Sequence, residues 1–124
     1  MPKIRQSSSG APARRIEVPQ KDWRRTLNEF SALHHGRPVP LDVVAPTMGV
    51  QPHIRELPLR GVTAESGPRG AAILIFAARG DGEQITHVIP SPTHVRIGRT
   101  NEGADVALEI ESDERLAAIL RVKG

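Results

Sequence analysis

Residues 71–90 read AAILIFAARGDGEQITHVIP, two apolar runs on either side of Gly80, Asp81 and Gly82. Asp-Gly between runs rich in Ile, Val and Phe signals a β-hairpin, because the turn needs residues that tolerate positive φ. With Asp81 and Gly82 at the turn centre, Ala78 falls opposite Ile85, Phe76 opposite His87 and Leu74 opposite Ile89. In the first strand Leu74, Phe76 and Ala78 share one face, and Ile73, Ile75 and Ala77 share the other. A strand apolar on both faces is expected in the middle of a sheet, covered on both sides.

Downstream, Pro90 to Thr93 reads as a tight reversal into a strand over 94–99, which sets Val88 against Val95. After a turn at 100–103, Ala104, Val106, Leu108 and Ile110 alternate with Asp105, Ala107, Glu109 and Glu111, the period of a strand with one wet face. A reversal at 112–114 leads to residues 116–122, where ERLAAIL is good helix by propensity. Strand is assigned there because the half-wet strand before it needs a partner. Upstream, residues 41–45 and 57–66 are strands, the second with Pro58 at an edge. PTMGVQP at 46–52 is an irregular loop, since each proline removes a ladder donor, and GPRG at 67–70 is a turn.

Ahead of these strands the period changes. Trp23, Leu27, Phe30 and His34 recur at the spacing of one helix face, with Arg24, Arg25, Asn28 and Glu29 elsewhere. Asp22 suits the first turn of this helix, and Gly36 suits a left-handed cap after His34 and His35. Residues 1–18 include the run Ser7 to Pro12, which has nothing to bury, so they are expected to be a disordered basic tail. Residues 19–124 then make a single small β-rich domain. The fold class is mainly β with one N-terminal helix (α+β): a curved antiparallel sheet or small open barrel of six to seven strands, the helix packed on one face.

The chain has 124 residues and three aromatics, Trp23, Phe30 and Phe76, so its core is aliphatic. It has no cysteine, which excludes disulfides, thiolate metal sites and a thiol nucleophile. No apolar run approaches membrane-spanning length and no secretory leader is evident, so a cytoplasmic location is expected. The sequence pI of 10.2 suggests nucleic acid until the charge is placed along the chain. Residues 1–21 hold Lys3, Arg5, Arg14, Arg15 and Lys21 against Glu17, a net of +4, which leaves −1 for all that follows.

The segments DWRRTLNEFSALHHG, GVQPHIRELPLRGVT, ITHVIPSPTHVRI and RTNEGADVALEIES resemble a bacterial family catalogued only as a domain of unknown function. The resemblance spans roughly residues 20 to 122. It implies an intracellular bacterial protein and carries over no activity or site.

Five histidines, His34, His35, His53, His87 and His94, raise the question of a metal, but no HExxH or comparable spacing is present. His34 and His35 lie about 100° apart on a helix, and His87 and His94, on neighbouring strands, are offset by two residues. No serine sits in a GxSxG elbow. GPRG and GDG match no phosphate-binding loop. No catalytic, metal or cofactor site is assigned.

The expected function is a non-catalytic cytosolic binding or interaction module for an unidentified protein partner, with no membrane attachment. Its contact patch would be the segment Thr47 to Ile54, where Met48, Val50 and Ile54 lack strand partners. One alternative is a small enzyme or ligand-binding protein with a pocket near His87 and His94, with His87 close to Asp105 or Glu109. Another is weak nucleic-acid association through tail phosphate contacts from Arg14 and Arg15.

Overall fold

The computed structural model describes residues 12–45, 49–68, 70–80, 82–113 and 116–122, with the backbone alone at 53–55. In chain order these form β1 (Arg14–Val18), a 3₁₀ turn (Gln20–Asp22), α1 (Trp23–His34), β2 (Pro38–Ala45), β3 (Gly49–Gly67), β4 (Gly70–Ala78), β5 (Gln84–Pro90), β6 (Pro92–Arg99), β7 (Asp105–Ser112) and β8 (Ala117–Arg121). The described residues are mainly β with one short α-helix. Their eight strands make an open antiparallel sheet in the order β1-β6-β7-β8-β2-β3-β4-β5.

One segment raises the strand count above the six to seven expected, and another lengthens a strand that was expected to begin later. Arg14–Val18, placed by composition in the disordered tail, is a strand: Ile16 pairs with Ile97 and Val18 with Val95 of β6. Alternation of Ile16 and Val18 with Arg15 and Glu17 is the local cause, and it makes α1 the second regular element rather than the first. Gly49–Pro52, expected in an irregular loop, opens β3, where Gly49 pairs with Ala45, Val50 with Val44 and Gln51 with Val43. β3 is one strand of 19 residues that serves two ladders. It pairs with β2 as far as Pro58 and with β4 from Leu59, so Pro58 marks the changeover rather than an edge.

The helix takes the expected face inward. Trp23, Leu27 and Phe30 are buried, and the Trp23 indole N–H donates to the Val18 carbonyl at 2.9 Å. Gly36 is left-handed, with φ of 85°. Its amide donates to Leu59 O of β3 at 2.8 Å and the Arg37 N–H donates back to His34 O at 3.1 Å, so the helix end is both closed by a turn and stitched to the sheet. The Ser31 hydroxyl lies 2.8 Å from the Val62 N–H, 2.7 Å from Leu27 O and 3.0 Å from Val62 O. Residues 117–121 are strand, and β8 joins β7 to β2. Neither competing helix propensity nor the short length prevails against two ladders.

The GDG hairpin forms in a different register. Arg79 N–H donates to Glu83 O at 2.9 Å, so the loop holds three residues and pairing falls as Ile73 with Ile89, Ile75 with His87 and Phe76 with Thr86. Three consecutive permissive residues let the chain choose the longer loop, and a shift of one residue exchanges partners along the ladder. β4 is also not covered on both sides. Ile73, Ile75 and Ala77 are buried in the core, while Leu74 and Phe76 on the opposite face are only half-buried.

The largest departure is at Ser91. β5 and β6 do not pair; β5 is one edge of the sheet and β6 lies next to the other edge. Val88 therefore lies opposite Leu74, and Val95 opposite Ile110 and Val18. Pro90 and Pro92 each lack the amide a hairpin ladder requires, and Ser91 between them adopts a left-handed φ of 51°. Ser91 N–H donates to Ala71 O and Ser91 O accepts from Asp113 N–H, both at 3.1 Å, which fastens the corner to both ends of the sheet. A one-residue link between distant strands requires the sheet to fold back on itself. Val18, Ile73, Ile75, Ile89, Val95, Ile97, Leu108, Ile110 and Leu120, drawn from its whole width, accordingly share one core with Trp23, Leu27 and Phe30.

Candidate functional site

His87 and His94 are not brought together. His94 lies on β6 with Nδ1 3.1 Å from a Glu17 carboxylate oxygen of β1. The same carboxylate takes Arg96 at 3.0 Å, and Arg96 also reaches Glu111 at 3.1 Å. Burial works against the Arg96 charge, but hydrogen bonding and Coulomb attraction from Glu111, and then from Glu17, outweigh it and raise its pKa. Asp105 and Glu109, expected near His87, belong elsewhere. Glu109 holds Arg15 at 2.8 Å, and Asp105 holds His34 Nε2 at 2.9 Å and Arg99 Nε at 3.0 Å.

His34 and Asp105 are the histidine–carboxylate pair of most chemical interest, with side chains 12% and 10% exposed. Their geometry is that of a latch. Asp105 divides its two oxygens between the last turn of α1 and Arg99 of β6, and the His34 ring leans on Phe30 with centroids 4.6 Å apart. The other ring nitrogen of His34, Nδ1, is buried without a hydrogen-bond partner among the described residues. The sequence signal for this latch was present in His34 on the apolar helix stripe, but its carboxylate lies 71 residues away, beyond any local pattern.

Of the loop patch, Met48 lies outside the described residues and so does the Ile54 side chain. Val50 is 59% exposed, yet it is paired in the sheet opposite Val44. Arg14 and Arg15 sit on β1 rather than on a free tail, and Arg15 is engaged by Glu109.

His87 does line a cavity. A groove of about 180 Å³ runs between Val43, Ser112, Leu116 and Ala118 on one wall and His87, Val88, Ile89 and Pro90 of β5 on the other. Its lining is aliphatic apart from Ser112 and His87, both of which have interactions of their own. Among the described residues no carboxylate lines it. Among the described residues no group of three or more His, Cys, Asp or Glu is placed to hold a metal ion.

The groove runs along an open sheet edge. Ser91 to Ala71 and Arg79 to Glu83 are hydrogen-bonded pairs of odd-numbered residues flanking the β4–β5 ladder. Hydrogen-bonded and non-hydrogen-bonded pairs alternate in an antiparallel ladder, so Ile85, His87 and Ile89 direct their backbone groups to β4. Gln84, Thr86, Val88 and Pro90 direct theirs away from it, where β5 has no neighbouring strand among the described residues. Ten residues, Gln84 to Thr93, carry no Asp, Glu, Lys or Arg. The opposite edge, β1, is guarded by Arg14, Arg15 and Glu17, the usual defence of an exposed strand. On the outer face beside the open edge, Val88 is 52% exposed and lies against Leu74.

No helix among the described residues is long and apolar enough to cross a membrane. No curated protein and no solved structure matches the chain. A family model matches residues 14–124, from the first residue of β1 onward. The chain belongs to that family, a family of unknown function (DUF5335).

Proposed function

We propose that residues 14–124 act as one domain, a small open barrel with α1 packed against β3, and that it is a non-catalytic interaction module. Its contact surface is the β4–β5 hairpin rather than the segment from Thr47 to Ile54. The observation that carries this reading is an uncharged edge strand whose outward amides and carbonyls lie beside an apolar groove. Natural sheets shield such edges with charge, bulges or cover, and an unshielded one is a template for another strand. A pocket shared by His87 and His94 is the weaker alternative, because His94 sits with Glu17 and Arg96 away from the groove.

A photo-crosslinking side chain placed at Val88, which is exposed on β5, tests the surface against the same side chain at Glu29, exposed on α1. In extracts of the cells that make the protein, adducts are expected from position 88 and not from 29. Equal labelling from both positions, or none from 88, overturns the assignment.

A further inference from the structure

We infer that the partner of this hairpin is a second copy of the chain, two β5 strands pairing antiparallel about a twofold axis through His87. The inference rests on the reading of the hairpin as the contact surface. A twofold interface must be self-complementary: if residue i meets j, then j meets i. The strand Gln84-Ile85-Thr86-His87-Val88-Ile89-Pro90 satisfies this almost residue by residue. About His87, Ile85 stands opposite Ile89 of the partner subunit, Thr86 opposite the near-isosteric Val88, and Gln84 opposite Pro90. No Asp, Glu, Lys or Arg lies along the seam, so with His87 neutral no like charges meet there.

The backbone selects the same register. Thr86 and Val88 turn their N–H and C=O outward, so opposite one another across the axis they form hydrogen-bonded pairs. Gln84 N–H meets the Pro90 carbonyl of the other copy, and Pro90, which has no N–H, ends the ladder at each side. Sliding the strands by one pair toward the GDG loop sets Ile89 against Glu83, an acid facing an apolar groove. Sliding them the other way sets Pro90 against Thr86, inside the ladder, where its missing donor breaks a bond.

The groove supplies the third argument. Ile85 of the partner subunit comes to lie beside Ile89, at the mouth of the space between β5 and Val43, Leu116 and Ala118. That space is about 180 Å³. A dry apolar cavity of roughly 150 Å³ accepts a benzene-sized group, so the groove has room for one branched aliphatic side chain. Each copy then fills the groove of the other, and Val88, Leu74 and Phe76 form a continuous apolar stripe across the seam.

Sedimentation velocity of the full-length chain at micromolar concentration is the test, with two double variants at exposed positions. T86K/V88K places lysines opposite one another twice, and should raise the dimer dissociation constant by at least about tenfold. T86K/V88E places each new lysine opposite a new carboxylate and should stay dimeric. Circular dichroism confirms folding of each. Should T86K/V88K fail to fold, Val88→Pro replaces it, removing an outward donor without touching the β4 ladder. A wild-type monomer overturns self-pairing, and adducts to other proteins at position 88 would then still support the hairpin as a surface. A dimer indifferent to T86K/V88K places the contact elsewhere and overturns the inference. Dissociation by both double variants overturns the register about His87.

Discussion

Ser31 joins helix to sheet through one hydroxyl. It accepts the N–H of Val62, which is fully buried, and donates its single proton to Leu27 O or Val62 O. Ser31→Ala leaves that amide without a partner or water, at a cost of about 1–3 kcal/mol. Urea unfolding should show the loss as a lower midpoint at unchanged slope; an unchanged midpoint would mean the amide finds another acceptor. Trp23 contributes by area as well as by its indole bond. It is 5% exposed in a core with few aromatics, and Trp23→Ala should cost roughly 3–5 kcal/mol, read in the same experiment. The periodicity of residues 23–34 reveals Trp23 as an anchor, because burial of one helix face is a local pattern. Ser31 gives no such sign. A serine on a helix flank looks the same whether its hydroxyl meets water or the backbone of a strand 31 residues on.

The five residues of β1 decide how far the folded unit extends. Val18 is buried, its carbonyl takes the Trp23 indole, and Ala13 N–H donates to Arg99 O at 2.9 Å. Gly98 on β6 admits this segment because it lacks a side chain: a Cβ there would stand 2.8 Å from Pro12 Cβ. A chain beginning at Pro19 forfeits the burial of Val18, about 1.5–3 kcal/mol, and leaves the indole N–H unpaired, about 1–3 kcal/mol more. Its melting temperature should fall by at least about 10 °C, whereas a chain beginning at Pro12 keeps every described contact and should melt with the full-length protein. Equal melting of both truncations would show that β1 adds no stability. Most elements could be read along the chain, including β8, since alternation and turn chemistry are local. Their partners could not. The crossover at Ser91 replaces an expected hairpin, and the one-residue register change at GDG follows from three permissive residues where two suffice. The crossover depends on which distant edges the chain must satisfy, and so the open edge of β5 and its groove were invisible in sequence.

Across the whole molecule, charge is arranged so that the sheet neutralises itself. Arg15 meets Glu109, Arg96 meets Glu17 and Glu111, Arg99 meets Asp105, and Arg121 meets Asp42. Such surface pairs add little stability, yet each cation already has an anion that a phosphate would have to displace. The net of +4 on residues 1–21 includes Arg15, which Glu109 engages, so the formal excess overstates what a polyanion would find. Any contact with DNA or RNA should thus be indifferent to sequence and require Lys3 and Arg5. Its affinity should fall with salt at a log–log slope of roughly −3 to −4 at most, the signature of a few neutralised phosphates. Fluorescence anisotropy of one short duplex and one single strand, titrated with the full chain and with a chain beginning at Pro12, separates the sources. Loss of binding on truncation places it before Pro12. Tight binding that survives truncation would require a shaped basic surface on the sheet, with Arg96 or Arg121 drawn out of its ion pairs, and would refute the self-neutralised sheet. Absence of binding by both forms would remove nucleic acid from the possible partners and leave the proposed contact at the β5 edge to be tested by its own experiments.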